Sequence, residues 1–266
     1  MRTKTKIVLY LILSVAAGLA AAVCRSVALL TRYSAESGHF FGRAGTLLMT
    51  AFWIVSAVSV IICFFGCGLM KDRLKSHYRT AGATYSVGAM ICVFATLIAF
   101  FEVLSQRNTA DRTSYALSLA VALCSVVSSV ALIYNACFPA SGINLFRGAV
   151  TLVPAIYIIL VALKIYFDPN LVMNCPNKKV YVITAVFVAL VMVYEARFNF
   201  YDERATGHLQ MCCGAITFGL GCGIPNVIYY AVNNRALAGS LGIDMVFICF
   251  AFFAGAQMLS VKRDGE

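Results

Sequence analysis

Besides Glu195 near the end of the sixth run, four residues in this chain of 266 carry side chains able to do chemistry in places where such side chains are costly. Glu102, Lys164, Asn226 and Asp244 each fall within a long apolar run. An ionisable group at membrane depth is expensive unless it is paired or wetted. An acid, a base, an amide and a second acid in such runs therefore point to a path for a small polar solute, an ion or a proton. The same residues also have a plainer reading. All four lie within a few residues of the end of a run, where lysine reaches the headgroups along its apolar stem and a carboxylate reaches interfacial water.

The elements that must position them are eight apolar runs, at 7–24, 45–70, 85–104, 115–137, 148–167, 180–198, 211–232 and 241–261. Each is about twenty residues long, enough to cross a bilayer as a helix. Lipid offers no hydrogen-bond partners to an open strand, and no run shows the alternation of a barrel strand, so every run is expected to be helical. With 61% hydrophobic and 12% charged residues, little chain is left for a soluble catalytic domain. The expected architecture is an all-α polytopic bundle forming one integral membrane domain over residues 1–266. Its surroundings are the lipid bilayer, and a membrane-protein partner or a second copy of the chain has room to bind.

Direction follows from the basic residues, which are retained on the cytoplasmic side. With the N-terminus inside, the inner loops hold twelve Lys and Arg against eight outside, and the bias around the first two runs is seven to three. Both termini are thus expected in the cytoplasm. Glu102, Lys164, Asn226 and Asp244 then share the outer half of the membrane, where they can meet. On the inner side, Glu195 and Arg197 point to different helix faces. Glu195 therefore needs a partner from another helix, and Arg147 is the candidate ion pair. The first run has a second reading as a signal peptide cut after Ala20-Ala21-Ala22, which leaves seven spans with unchanged orientation.

The seventh run contains Gly219, Gly221, Gly223 and Pro225 directly before Asn226. Glycine and proline at membrane depth mark a broken helix lining a solute or ion site in transporters. They also permit close packing, and Ala215, Gly219 and Gly223 form a ladder of small residues four apart. Similar stripes run along the second span (Ser56, Ser59, Cys63, Cys67) and the fourth (Ser118, Ala122, Ser125, Ser129). Pro154 is expected in the first turns of its helix, where it is easily accommodated.

A formal net charge of +10 would suggest nucleic acid for a soluble domain, but here the basic residues are scattered among loops on both sides, so no nucleic-acid partner is expected. The densest group, Lys71 to Arg79, reads as a topology-fixing loop or as a docking site for an acidic partner or lipid. Of eleven cysteines most lie in spans, where they pack as small apolar residues. Cys63 and Cys67 are one helical turn apart, yet no histidine is near, and His39, His77 and His208 are each placed alone in a loop. No metal and no cofactor is expected. Zinc-protease, nucleophile-elbow and phosphate-loop patterns are absent.

Glu195-Ala-Arg-Phe198 at a span end, with Ile224-Pro-Asn-Val-Ile228 in the next, resembles uncharacterised bacterial multi-span membrane proteins. That resemblance implies a bacterial cytoplasmic membrane and no activity. A faint self-similarity pairs Phe101-Glu102-Val103 with Tyr194-Glu195-Ala196 and Ile133-Tyr-Asn-Ala136 with Ile228-Tyr-Tyr-Ala231, through an inverted repeat or through chance between alanine-rich helices. The leading functional expectation is small-solute or ion transport, or membership of a transporter as its membrane subunit. A non-transporting structural or regulatory subunit is the alternative, and an intramembrane enzyme the third.

Overall fold

Each apolar run folds as one α-helix, the conformation in which a single segment satisfies its own backbone groups without water. The computed structural model describes residues 3–70, 78–80, 82–105, 112–138, 144–168, 172, 175–200, 205–237 and 240–263. Its helices are α1 (Thr3–Arg32), α2 (Gly42–Gly68), α3 (Ala83–Ser105), α4 (Arg112–Cys137), α5 (Leu145–Tyr166), α6 (Pro176–Phe200), α7 (Ala205–Asn233) and α8 (Leu241–Ser260). All eight are long and apolar enough to cross a membrane, and the chain is a multi-pass membrane protein. Two three-residue strands, for which the apolar pattern holds no signal, pair antiparallel: β1 (Tyr78–Thr80) and β2 (Val261–Arg263). They tie the α2–α3 connection to the segment after α8. This end of the bundle, where α1 also starts, is the terminal end, and its opposite is the distal end.

The helix at the centre is α7, with 83% of its most apolar window buried against 28% for α2. It packs against α1, α2, α6 and α8, and from α8 the contacts continue through α3, α4 and α5 back to α6. Polar links stitch neighbours together inside this circuit. Thr96 Oγ1 on α3 and Ser129 Oγ on α4, for example, lie 2.6 Å apart. The outward faces are apolar: Ile54, Ile61 and Phe65 on α2, and Phe94, Ile98 and Phe101 on α3, are all exposed at helical spacing. Such faces suit acyl chains. A groove of about 400 Å³ between α5 and α6, lined by Ile159, Tyr166, Val186 and Leu190 among others, is of the same kind.

Three expectations change. The seventh helix is continuous from Ala205 to Asn233 through Gly219, Gly221, Gly223 and Pro225, so these residues do not break it. Gly219 and Gly223 instead admit α8: a Cβ on Gly219 would stand 2.8 Å from Ala251 Cβ and 2.9 Å from Phe247 O, and one on Gly223 would stand 2.9 Å from Asp244 O. A hole for a neighbouring backbone and a weak point in a helix use the same residue types, which is why the sequence alone left both open. Pro154 lies well inside α5, past the first turns. Finally, α1 continues to Arg32 and α7 starts at Ala205, which carries Arg25 and His208 out of their expected loops and into the bundle.

Candidate functional site

At the distal end, α6, α7 and α8 bring a phenol, an amide and a carboxylate together. Ser240 caps α8, its Oγ accepting from Ile243 N–H at 3.3 Å, and this sets Asp244 in the first turn. Tyr181 near the start of α6 donates to Asp244 Oδ1 at 2.6 Å. Asn226 Nδ2, one residue beyond Pro225, donates to the same oxygen at 2.7 Å and to Tyr181 Oη at 2.7 Å. All three side chains are fully buried.

Beside them lies Arg25 of α1, also fully buried. Its Nη1 donates to Cys222 O at 2.8 Å and to Gly221 O at 3.3 Å, and its Nη2 donates to Asn177 Oδ1 at 3.1 Å. The position has a local cause. Pro225 has no N–H, so the carbonyl four residues earlier, Gly221 O, lacks its helical donor. A guanidinium with five donors and a fixed charge fills that gap and lies within electrostatic reach of Asp244. Three buried polar atoms in this cluster make no hydrogen bond, Arg25 Nε, Asn226 Oδ1 and Asp244 Oδ2, while Asn177 Nδ2 faces the hydroxyl of Tyr33.

Of the four residues singled out by depth, Asn226 and Asp244 are in direct contact. Glu102 sits nearby in a different role. Its carboxylate caps α8 from α3, accepting from Leu241 N–H at 2.7 Å, from Ser240 Oγ–H at 3.0 Å and from Gly242 N–H. A carboxylate at a helix N-terminus meets unpaired N–H groups and the positive end of the helix dipole, which stabilises it there. The side chain of Lys164 leaves Nζ buried and without a hydrogen bond, within electrostatic reach of Glu102 and Asp168.

A second polar cluster occupies the terminal end. Glu195 on α6 is buried and accepts from Tyr85 Oη–H of α3 on Oε1 and from Gln257 Nε2–H of α8 on Oε2. Gln257 Oε1 in turn faces Cys212 Sγ of α7 at 3.8 Å, and Cys212 Sγ lies 3.5 Å from His208 Nε2. Arg147 on α5 is within electrostatic reach of Glu195 but donates its guanidinium hydrogen bonds to Phe138 O and, at 3.3 Å, to Asn135 O at the end of α4. The predicted partners are therefore neighbours, while the hydrogen bonds to the carboxylate come from two neutral groups.

Comparison of this chain with protein-family models, with curated proteins and with solved structures finds no match. Depth in an apolar run found Glu102, Lys164, Asn226 and Asp244. Gln257, an amide inside the eighth run as Asn226 is inside the seventh, carries the same signal and is missed, Tyr181 and Tyr85 carry none, and Arg25 lies just beyond the predicted end of the first span. Among the described residues no group of three or more His, Cys, Asp or Glu is arranged to hold a metal, and all eleven cysteines are free. The segment from Lys71 to His77 lies outside the described residues.

Proposed function

We propose that this protein moves a small polar solute or an ion across a bacterial cytoplasmic membrane, alone or as the membrane subunit of a transporter. The distal cluster of Arg25, Asn177, Tyr181, Asn226 and Asp244 is its binding group. The observation that carries this reading is the set of three buried polar atoms without partners there. Folded interiors rarely leave such atoms unpaired, because each costs about 1–3 kcal/mol. Arg25 Nε is a donor, whereas Asn226 Oδ1 and Asp244 Oδ2 are acceptors. A water molecule, or a small solute that both gives and takes hydrogen bonds, would satisfy such groups.

With both termini in the cytoplasm, as the basic residues favour, the cluster belongs to the outer half of the membrane. A reporter fused after Glu266 checks this, and an external C-terminus would invert the assignment. The function itself is tested in proteoliposomes by following protons with an internal pH dye, then sodium, potassium and zwitterionic amino acids by tracer uptake. Flux above protein-free vesicles is expected, with loss in Asp244→Asn and retention in Gly68→Ala. Flux no greater than that of empty vesicles for every probe overturns the reading.

One observation favours the structural alternative. A Cβ on Gly88 of α3 would stand 2.9 Å from Ala256 Cβ and 3.0 Å from Phe253, and one on Gly242 of α8 would stand 2.6 Å from Ala99 Cα. The two helices therefore touch near both of their ends, as a static scaffold requires. A null result in the flux assay leaves that alternative standing.

A further inference from the structure

The terminal cluster repeats the chemistry of the distal one. In each, a buried carboxylate takes hydrogen bonds from a tyrosine hydroxyl and a carboxamide: Asp244 from Tyr181 and Asn226, Glu195 from Tyr85 and Gln257. Helices α6 and α8 contribute to both, and the fourteen residues from Tyr181 to Glu195 place the clusters about 20 Å apart along α6. A metal cation is poorly served at Glu195, because the two groups on its carboxylate present hydrogens to it, and hard cations need several oxygen ligands. A proton needs only one lone pair.

The groups facing Glu195 are Tyr85 from α3, Arg147 from α5, Gln257 from α8 and Cys212 from α7, with His208 behind Cys212. The last three form a chain in which every member is able to exchange donor for acceptor. With Glu195 ionised, His208 Nε2–H gives to Cys212 Sγ, the thiol gives to Gln257 Oε1, and Gln257 Nε2–H gives to Glu195 Oε2. With a proton on Oε2, a half-turn of the Gln257 amide lets Oε2–H give to Gln257 Oε1, Gln257 Nε2–H to Cys212 Sγ, and the thiol to His208 Nε2. The imidazole must then give up its Nε2 proton and take one on Nδ1, a buried atom without a protein partner, so two protons enter from water, on Oε2 and Nδ1, while one returns to water from Nε2. Tyr85 gives to Oε1 in both states. The end states differ by one proton taken from water and by the tautomer of His208, and every link is kept.

We propose that Glu195 is a proton-binding site whose hydrogen-bond chain through Gln257 and Cys212 to His208 reverses direction when the proton arrives. This deepens the transport reading by naming the proton as an ion handled by the protein, and it rests on that reading for its purpose. The test is infrared difference spectroscopy of the whole chain in liposomes across a pH series. A protonated-carboxyl C=O band is expected that disappears in Glu195→Gln and persists in Asp244→Asn. Cys212→Ala should shift that band or remove its reversibility, and Cys212→Ser should restore it, which a residue that only fills space would not do.

Should Glu195→Gln fail to fold, the unaltered protein in native membranes is treated with a hydrophobic carbodiimide, which adds to protonated carboxyls, and its peptides are mapped. Labelling of Glu195 is expected, falling about tenfold per pH unit once the site has titrated. Carboxylate bands alone from Glu195, or no label on it wherever the protein stays folded, mean that it remains ionised beside Arg147 and overturn the proposal. Flux without protonation of Glu195 fails this inference alone. Protonation of Glu195 without flux of any probe fails the transport reading alone.

Discussion

Arg25 and Pro225 compensate for each other across α1 and α7. The proline leaves Gly221 O without its helical donor, and the guanidinium supplies one at 3.3 Å while also reaching Cys222 O at 2.8 Å. Replacing Arg25 by Leu strands these acceptors and Asn177 Oδ1 in an apolar interior, at an expected cost of about 3 kcal/mol or more. Lysine recovers only part, since an ammonium lacks the planar fork that spans several acceptors. In a Pro225→Ala background the backbone N–H of residue 225 returns to Gly221 O, so Arg25→Leu should cost about 1 kcal/mol less there. Thermal unfolding of the four chains in detergent closes the cycle. An equal loss in both backgrounds would show that Arg25 serves something other than the gap left by the proline.

The contact between α7 and α8 depends on the absence of side chains at Gly219 and Gly223. Gly219→Ala sets a methyl 2.8 Å from Ala251 Cβ and 2.9 Å from the carbonyl of Phe247. Backbone cannot yield as a flexible side chain does, so destabilisation of about 1–3 kcal/mol is expected. Gly68→Ala at the end of α2 is the control, its nearest neighbour being Gln210 Nε2 at 3.9 Å, and it should be neutral. Matching melting temperatures for the two variants would mean that α7 and α8 separate at little cost.

Glu102 holds α3 to the start of α8 by accepting main-chain hydrogen bonds. Glu102→Gln keeps the shape and one acceptor but loses the charge at the helix N-terminus, an expected loss of about 1–2 kcal/mol. Ser240→Ala removes both the cap on Ile243 and the hydroxyl that donates to Glu102, an expected loss of about 1 kcal/mol. Because the two residues share a hydrogen bond, the double variant should lose less than the two single losses combined. Strict additivity in chemical or thermal unfolding would show the two caps to be independent.

How far the sequence reaches is seen in these same residues. Hydropathy locates all eight helices, since a run of apolar residues needs no knowledge of its neighbours to be recognised. Depth also singles out Asp244 and Asn226, whose contact at 2.7 Å is then a matter of two helices meeting at a matching level. Arg25 escapes because its charge ends the apolar run at Cys24, and the carbonyl that draws it inward belongs to a helix 196 positions away. Arg147 lies within electrostatic reach of Glu195 but bonds Phe138 O and Asn135 O, because which donors reach the carboxylate depends on helix rotation, and that is set by packing around Tyr85 and Gln257. The glycines of α7 are ambiguous for a related reason: only the position of α8 tells a contact from a break.

Tyr157 offers a test of whether water enters the bundle between the two clusters. It lies near the middle of α5, fully buried, and its hydroxyl makes no hydrogen bond with the protein. If the surroundings are dry, that hydroxyl is a net cost, and Tyr157→Phe, which keeps the ring and removes the oxygen, should raise stability by about 1 kcal/mol and leave proton flux unchanged. If a water column runs past it, the hydroxyl already has partners and the phenylalanine removes them. Stability then falls and flux falls with it. The dry outcome is expected, because the neighbouring Ile158 and Val161 are themselves fully buried apolar residues that give water nothing to bind. Melting temperature and dye-reported flux measured on the same preparation separate the two cases, and a drop in both would place a hydrated path through the centre of the molecule rather than at its ends.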